Sequence, residues 1–558
     1  MSHQLQLMLQ QAIQAFQGRN FDSADLILKR VLQIDSKNHL ALHILGLIKA
    51  SQSKYREAAD YLARAARICP NDASIQYNLA KALSDDGNDK DALAHHKKAV
   101  ALAPNNPEAW LNYGKTASNL GRYDDALACY GKALSLRSDY AEAWGNKGVT
   151  LYDLKRFDEA IAHYDKALSL NPDYHEAWGN KGTILHDLKR FEEAIAHYDK
   201  ALSLNPDYHE AWGNKGWTLH ELKRFDEAIA HYDRALSLNP DYHKASLNKS
   251  LSLLLLGDFK NGFPLYESRW DSDKVDDSVG KLFFDSPVWL GVESLREKTI
   301  LIYWEQGIGD FIQFGRYVKL VSDLGANVIL EVPESLASLM CNFDGVSQFV
   351  VKGEELPFFD YQCPLLSLPL ALSTSISSIP ASIPYLVVHP NKAAEWGHKL
   401  GEKKKRRIGL VWSSVSNFKD DSKRSLMLID FIKALPAEGF EYICLQKVLK
   451  DCDKDFFKNY KNIRFFGDEL LDFVDTAALI ENLDLVISTC TSIPHLSGAL
   501  GKETWILLSH VPDWRWLLDR EDSPWYPSVK LYRQPVIGDW DSVLDKVKID
   551  LERYRVFS

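Results

Sequence analysis

Residues 141–172 read AEAWGNKGVTLYDLKRFDEAIAHYDKALSLNP, residues 175–206 read HEAWGNKGTILHDLKRFEEAIAHYDKALSLNP, and residues 209–240 read HEAWGNKGWTLHELKRFDEAIAHYDRALSLNP. One unit of 34 residues is thus written three times with little change. Trp144, Gly148, Leu151, Ala160, Tyr164, Ala167 and Pro172 recur one period on as Trp178 to Pro206, and again as Trp212 to Pro240. At about 100° per residue, Trp144, Gly148 and Leu151 share one helix face. Small Gly148, Ala160 and Ala167 allow two helices to approach closely, with Trp144 and Tyr164 filling the gaps. Asn171-Pro172-Asp173 ends the second helix and starts the next unit.

This period and these residue types resemble the tetratricopeptide repeat, a pair of antiparallel helices that must stack with its neighbours to bury its apolar face. Weaker copies begin near Leu5, His39, Ala73 and Pro107. They are anchored by Ala24; Gly46, Ala58, Ala65 and Pro70; Ala92, Ala99 and Pro104; then Trp110, Gly114, Ala126, Tyr130 and Ala133. Seven repeats and a degraded eighth, which opens at His243, keeps Tyr266 and ends in ESRW, fill residues 1–270. An atypical end repeat is what capping requires.

About half a turn from the tryptophans, Asn78, Asn112, Asn146, Asn180, Asn214 and Asn248 recur every 34 residues. Asp85, Asn119, Asp153, Asp187 and Glu221 follow seven residues later. Since first helices of such repeats line the concave side, these rows predict a polar ladder along a groove. Amides both donate and accept, which suits them to an extended peptide backbone of a protein acceptor. The alternative is recent duplication, which copies every residue whether useful or not; Asn78, Asn112 and Asn248 argue against it, because their repeats have diverged. Trp217, near Asn214, is a further candidate acceptor contact, or else an exposed aromatic.

The chain has 558 residues, 46% hydrophobic and 25% charged, ample for more than one domain. A net charge of −10 argues against general nucleic-acid binding. Seven cysteines without a CxxC pair, no signal-peptide pattern in MSHQLQLMLQQAIQAFQ and no ~20-residue apolar run lead us to expect a cytoplasmic protein without a membrane span.

Beyond Trp270 the period is lost, and the polar run 271–280 reads as a junction. Short apolar runs at 299–305, 327–332 and 348–351, then at 407–413, 440–446, 462–467, 483–489 and 504–509, read as buried strands separated by helical lengths. They predict α/β architecture after the α-solenoid: two Rossmann-like lobes, about 281–395 and 405–558, with ligand at the carboxyl ends of the strands. The basic run Lys403–Arg407 reads as a solvated loop. Glu305-Gln-Gly-Ile-Gly-Asp310 follows the first strand, and its glycines Gly307 and Gly309 permit a tight turn and close approach of a ligand. It lacks the third glycine of a dinucleotide fingerprint. Asp310 reads either as a helix N-cap or as a carboxylate able to take a proton from a hydroxyl.

EQGIGDFIQF, GLVWSS…DDSKRS, LQK, DTAALIENLDLVIS, TSIPHLSGALG and DWRWLLDREDSPWYP, in this order, resemble bacterial tetratricopeptide-repeat proteins with a C-terminal heptosyltransferase-like glycosyltransferase domain. The combination also looks like that of O-GlcNAc transferases and flagellin glycosyltransferases. The resemblance implies a two-lobed B-type glycosyltransferase fold and inverting sugar transfer from a nucleotide sugar to a protein hydroxyl, with no metal and no cofactor. It implies Asp310 as general base, and a donor held by the C-terminal lobe. Thr491, Ser492 and His495 would bind the diphosphate at a helix N-terminus. Lys423 or Arg424 would neutralise the leaving phosphate. Trp412, Ser413, Gln446 and Lys447 would receive base and ribose. Each of these has a structural alternative: surface charge for Lys423 and Arg424, helix packing for His495, capping for Ser492. Asp271, Asp273, Asp451 and Asp453 read as chance pairs in polar loops. Where relatives commonly read Gly-Asn-Pro and then His, this chain has Ser414-Val415-Ser416 and Phe418; where they have aspartate before Thr-Ser, it has Cys490. These departures leave the donor open. The competing functions are a non-catalytic repeat scaffold with a degenerate transferase domain, and a transferase acting on a glycan or lipid-linked sugar.

Overall fold

A computed structural model describes residues 3–271, 284–341, 343–414, 421–460 and 462–556. The junction run beyond Asp271, with Asp273, and Val415, Ser416 and Phe418 lie outside the described residues. By packing, the chain forms two compact units, Met1–Lys215 and Gly216–Ser558.

The first unit is made of antiparallel helix pairs, such as Ala141–Asp153 with Phe157–Leu170 and His175–Asp187 with Phe191–Leu204. A glycine on each first helix faces an aromatic of the second: a Cβ on Gly148 would lie 2.9 Å from Tyr164, and one on Gly182 2.8 Å from Tyr198. Both tyrosines are buried. Each small core joins one pair to the next first helix; Leu111, Ala126, Tyr130 and Ala133, for example, meet Ala143. The tryptophans differ from the interior role expected of them. Trp144 and Trp178 are half-buried, and their indole N–H groups bond the carbonyls of Ser138 (3.0 Å) and Pro172 (2.9 Å) in the preceding turns. The turn within each pair uses left-handed backbone. Gly87 and Gly121 occupy it at φ 80° and 70°, whereas Lys155 and Lys189 occupy the equivalent place at 62° and 61°. His96 is buried in this unit, and neither ring nitrogen has a hydrogen-bond partner among the described residues.

In the second unit, helices Phe225–Leu238, His243–Leu255 and Phe259–Tyr266 and the short turn Glu267–Trp270 precede two parallel sheets. The first sheet contains β1 (Thr299–Tyr303), β2 (Asn327–Val332), β3 (Gln348–Val351) and β4 (Tyr361–Pro364) in the order β3-β2-β1-β4. The second contains β5 (Arg406–Val411), β6 (Phe440–Cys444), β7 (Ile463–Phe465), β8 (Leu485–Thr489), β9 (Thr504–Leu508) and β10 (Val529–Arg533). Its order, β10-β9-β8-β5-β6-β7, is the doubly wound 3-2-1-4-5-6 order read from the other edge. The order reverses between β5 and β8, and in the first sheet between β1 and β4. Such switch points are where open α/β sheets leave a crevice at their carboxyl ends. The fold is therefore α-solenoid followed by α/β.

One continuous core runs from the end of the repeats into the sheets. Phe259, Phe263 and Tyr266 pack on Trp514 with ring centroids 6.1, 5.7 and 6.3 Å apart, and Phe259 also meets Trp525 at 6.2 Å. The degraded eighth repeat kept its apolar face because the α/β part covers it. Lys403–Lys405 are exposed or loop-borne as expected, but Arg406 and Arg407 belong to β5. Arg407 is buried and ion-paired with Glu441 at 2.8 Å.

Candidate functional site

Two helices begin at the two switch points, Ile308–Gly315 after β1 and Ser492–Ala499 after β8. They meet at their first turns: a Cβ on Gly309 would lie 2.9 Å from His495 Cδ2 and 3.3 Å from Ser492 Cα. Gly309 therefore serves the approach of one helix to the other. Gly307 caps the first helix at φ 61°, left-handed backbone that a side chain resists. Asp310 is consequently not the N-cap but the third residue of the helix, where the helix dipole favours a carboxylate.

Asp310 Oδ1 accepts from Arg515 Nη2 at 2.6 Å. Arg515 comes from the turn Trp514–Trp516 that follows β9, and its Nη1 donates to both oxygens of Asp513 at 2.9 Å. Burial pushes the Asp310 carboxyl up to about 6; Arg515 opposes this, Asp513 and Glu305 add to it, and Arg424 lowers it again. For Asp513, burial is overcome by Arg515, which holds its carboxyl below the usual range. The result is one carboxylate near neutrality beside another that stays ionised. A fifth of the Asp310 side chain is open to solvent (22%), against 7% for Arg515.

Behind Asp310 sits an ion pair with no sequence signal. Arg269, from the ESRW end of the repeats, donates to Glu305 through Nε (2.9 Å) and Nη2 (3.2 Å), to Glu267 (2.7 Å) and to Ser367 (2.8 Å). Glu305 also accepts the Leu366 amide at 2.8 Å. The terminal repeat thus ties the end of β1 to the residues after β4, and with them the loop that carries Asp310.

The other expected donor contacts have mixed fates. Thr491 caps the second helix by accepting the Ile493 amide at 3.3 Å, and Ser492 opens it. His495 is buried: its Nδ1 meets the Tyr526 hydroxyl at 3.1 Å and its ring stacks on Trp516 at 5.1 Å. Burial pushes it down to about 3, so it is neutral, and the helix-packing alternative describes it. Trp412 is no base platform, because it is wholly buried and its indole N–H bonds Asp453 at 2.9 Å. That bond also gives Asp453 a role that chance did not require. Asp451 pairs with Lys454 at 2.8 Å. Gln446 accepts the Trp412 and Ser413 amides (2.9 and 3.2 Å) and donates to the Ser413 hydroxyl (3.3 Å), closing the end of β5. Lys447 donates to the Leu471 carbonyl at 2.9 Å. Lys423 pairs with Glu221 at 2.9 Å, while Arg424 acts electrostatically on Asp310 and Cys490. Cys490 accepts the Trp516 indole N–H at 3.1 Å, and burial pushes its thiol up to about 11.

In the first unit Asn78, Asn112, Asn146 and Asn180 are half-buried. Asn78 Nδ2 bonds His43 (2.8 Å), and Asn112 Nδ2 donates to Tyr77 (2.9 Å) and to the Glu108 carbonyl (3.0 Å). Asn146 Nδ2 is buried without a hydrogen-bond partner among the described residues. At 78 and 112 the amides therefore join neighbouring first helices. Asp187 is likewise committed, accepting from Tyr152 at 2.7 Å. Asn214 and Asn248 are half-buried. Trp217 is half-buried rather than exposed and stacks on buried His220 at 4.6 Å.

Tetratricopeptide-repeat family models match residues 141–174, 44–107, 180–243, 214–271, 83–147 and 163–196. Those residues are tetratricopeptide repeats. The protein FlbA of Caulobacter vibrioides is 26% identical over 329 residues, 54% of this chain and 54% of its own length. The chain thus spans about half the length of the curated relative it matches. Among solved structures, the repeat protein YrrB, described as having an unusual peptide-binding site, is 24% identical, covering 35% of this chain and all of its own, with a TM-score of 0.28. MamA is 26% identical over 30% of this chain and 97% of its own, at 0.27. A repeat protein of Parabacteroides merdae is 17% identical over 45% and 98%, at 0.40. Among the described residues no helix is long and apolar enough to cross a membrane.

Proposed function

We propose that this chain is a glycosyltransferase that moves a sugar from a nucleotide-sugar donor to a hydroxyl of a protein acceptor recruited by its repeats. One observation carries the reading: a carboxylate raised to about 6 lies where the first turns of two helices meet, each helix following a strand at the switch point of its parallel sheet. A base of that strength is largely ionised at neutral pH yet still basic enough to share a hydroxyl proton in a transition state. The amides opening the Ser492–Ala499 helix suit a diphosphate, and Arg515 and Arg424 supply cationic charge nearby. The repeats supply protein binding, the ordinary work of such solenoids.

A second reading, a repeat scaffold on a transferase relic, draws on a different observation. Trp412 and Gln446 spend their polar groups inside the fold, and Lys423 is tied to Glu221. Thermal shift of the whole chain against a panel of UDP-, GDP-, ADP- and CMP-sugars separates the two. Stabilisation by one donor, labelling of protein when that donor is added to lysate, and loss of labelling but not of binding in Asp310→Asn support the transferase. Silence of the whole panel leaves the scaffold; labelling of glycan or lipid in place of protein changes the acceptor class.

A further inference from the structure

The arginine on Asp310 has more donors than partners. Its Nη1 is fixed by Asp513 and its Nη2 by Asp310, but its buried Nε has no hydrogen-bond partner among the described residues. A cationic N–H left unsatisfied in a buried site points to an acceptor that is brought in. The guanidinium lies 4.7 Å above the Trp514 ring and 5.4 Å from that of Phe314, flat surfaces along which it can turn without losing contact. Asp310 and Arg515 also come from different sheets, one following β1 and the other β9.

We propose that Arg515 is a positioning residue that alternates between the base and the donor. Without donor it rests on Asp310; a nucleoside diphosphate draws it onto the phosphate oxygens, Asp513 holding its other edge, and Asp310 is released to accept the hydroxyl proton. The inference rests on the transferase reading. Among the described residues, the charged and titratable groups around Asp310 are Arg515 and Asp513 from the turn after β9, Glu305 from its own loop, Arg424 from the Asp421–Arg424 helix, Tyr266 from the last repeat and neutral His495 beyond Gly309. Of these, Arg515 is the one in contact with the carboxylate and the largest charge opposing its protonation. Moving it away while bringing phosphate charge nearer makes Asp310 a stronger base.

Such a movement binds a proton, so it is measurable without turnover. Uridine, guanosine, adenosine and cytidine diphosphate are titrated into the whole chain at pH 6.5 by calorimetry, in buffers of different ionisation enthalpy. For the nucleotide that binds, the wild type is expected to take up about half a proton, as a rise of roughly one pKa unit from about 6 requires. Asp310→Asn is expected to bind without uptake, and Arg515→Lys, which keeps the charge but loses the fork, to bind roughly 10- to 100-fold more weakly. Binding without proton uptake by the wild type, uptake that persists in Asp310→Asn, or unchanged affinity in a folded Arg515→Lys overturns the inference and leaves the transferase reading intact. Failure of every diphosphate to bind the wild type overturns both. If Arg515→Lys does not fold, the comparison of wild type with Asp310→Asn decides alone.

Discussion

Replacing Arg269 by methionine removes a guanidinium whose side chain is 8% exposed, beside a Glu305 side chain exposed by only 2%. The pair is bidentate, and burial, with Glu267 adding to it, holds the Glu305 carboxyl above its usual range although Arg269 and the Leu366 amide pull it back. Breaking such a pair on one side costs about 3–5 kcal/mol, because the remaining charge is stranded in a poor solvent. The partner change Glu305→Gln keeps an acceptor for the Leu366 amide and leaves Arg269 its bonds to Glu267 and Ser367, so about 1–3 kcal/mol is expected. In the double variant the deeply buried Glu305 charge is gone and only the more exposed Glu267 loses a partner, so the sum should fall short of additivity by about 2 kcal/mol. Urea unfolding of the four chains, followed by tryptophan fluorescence, gives the coupling. Hydrogen exchange over residues 299–315 should rise in Arg269→Met and fall back in the double variant. A coupling below ~0.5 kcal/mol would refute the claim that the end of the repeats anchors the Asp310 loop.

His96 is neutral in the fold, with burial pushing it from 6.5 down to about 4. The unfolded chain takes up that proton first, so stability is full above pH 6.5 and is lost, by about 3 kcal/mol, as pH falls to 4. His96→Phe should remove that part of the slope in urea unfolding at stepped pH, and an unchanged slope would count against it. Lys189→Gly, at φ 61°, should stabilise the first unit by about 0.5–1 kcal/mol, read as a higher urea midpoint, whereas the same change at exposed Lys200 in mid-helix should destabilise it. Gly309→Val pushes against His495 and the Ser492 backbone and should lower the melting temperature of the second unit by several degrees, consistent with about 1–3 kcal/mol of overpacking; a neutral result would mean that the two helices part easily.

The repeats were legible because one period fixes helix length, turn and packing partner together, so His39, Ala73, Pro107, Ala141, His175, His209 and His243 each begin a first helix. Eight strand-like apolar runs correspond to eight of the ten strands among the described residues. The two missed are β4, which is short and ends in Pro364, and β10, whose Val-Lys-Leu-Tyr-Arg places charges at the edge of its sheet. The site was less legible, for a different reason. Trp412, Gln446 and His495 have the residue types that a ligand pocket needs, but the same polar edges satisfy buried backbone and hydroxyl groups. Only the folded arrangement separates the two uses. The Asp310–Arg515 contact joins residues 205 positions apart in sequence, and nothing periodic announces it.

The stitching of Phe259, Phe263 and Tyr266 to Trp514 has a practical side for anyone dividing the chain. Scissors placed at the polar stretch after Trp270, where the alphabet changes, would tear an aromatic seam and leave sticky, insoluble halves. A fragment that starts at His209, the head of a helix, would carry the seam whole and be the piece to crystallise.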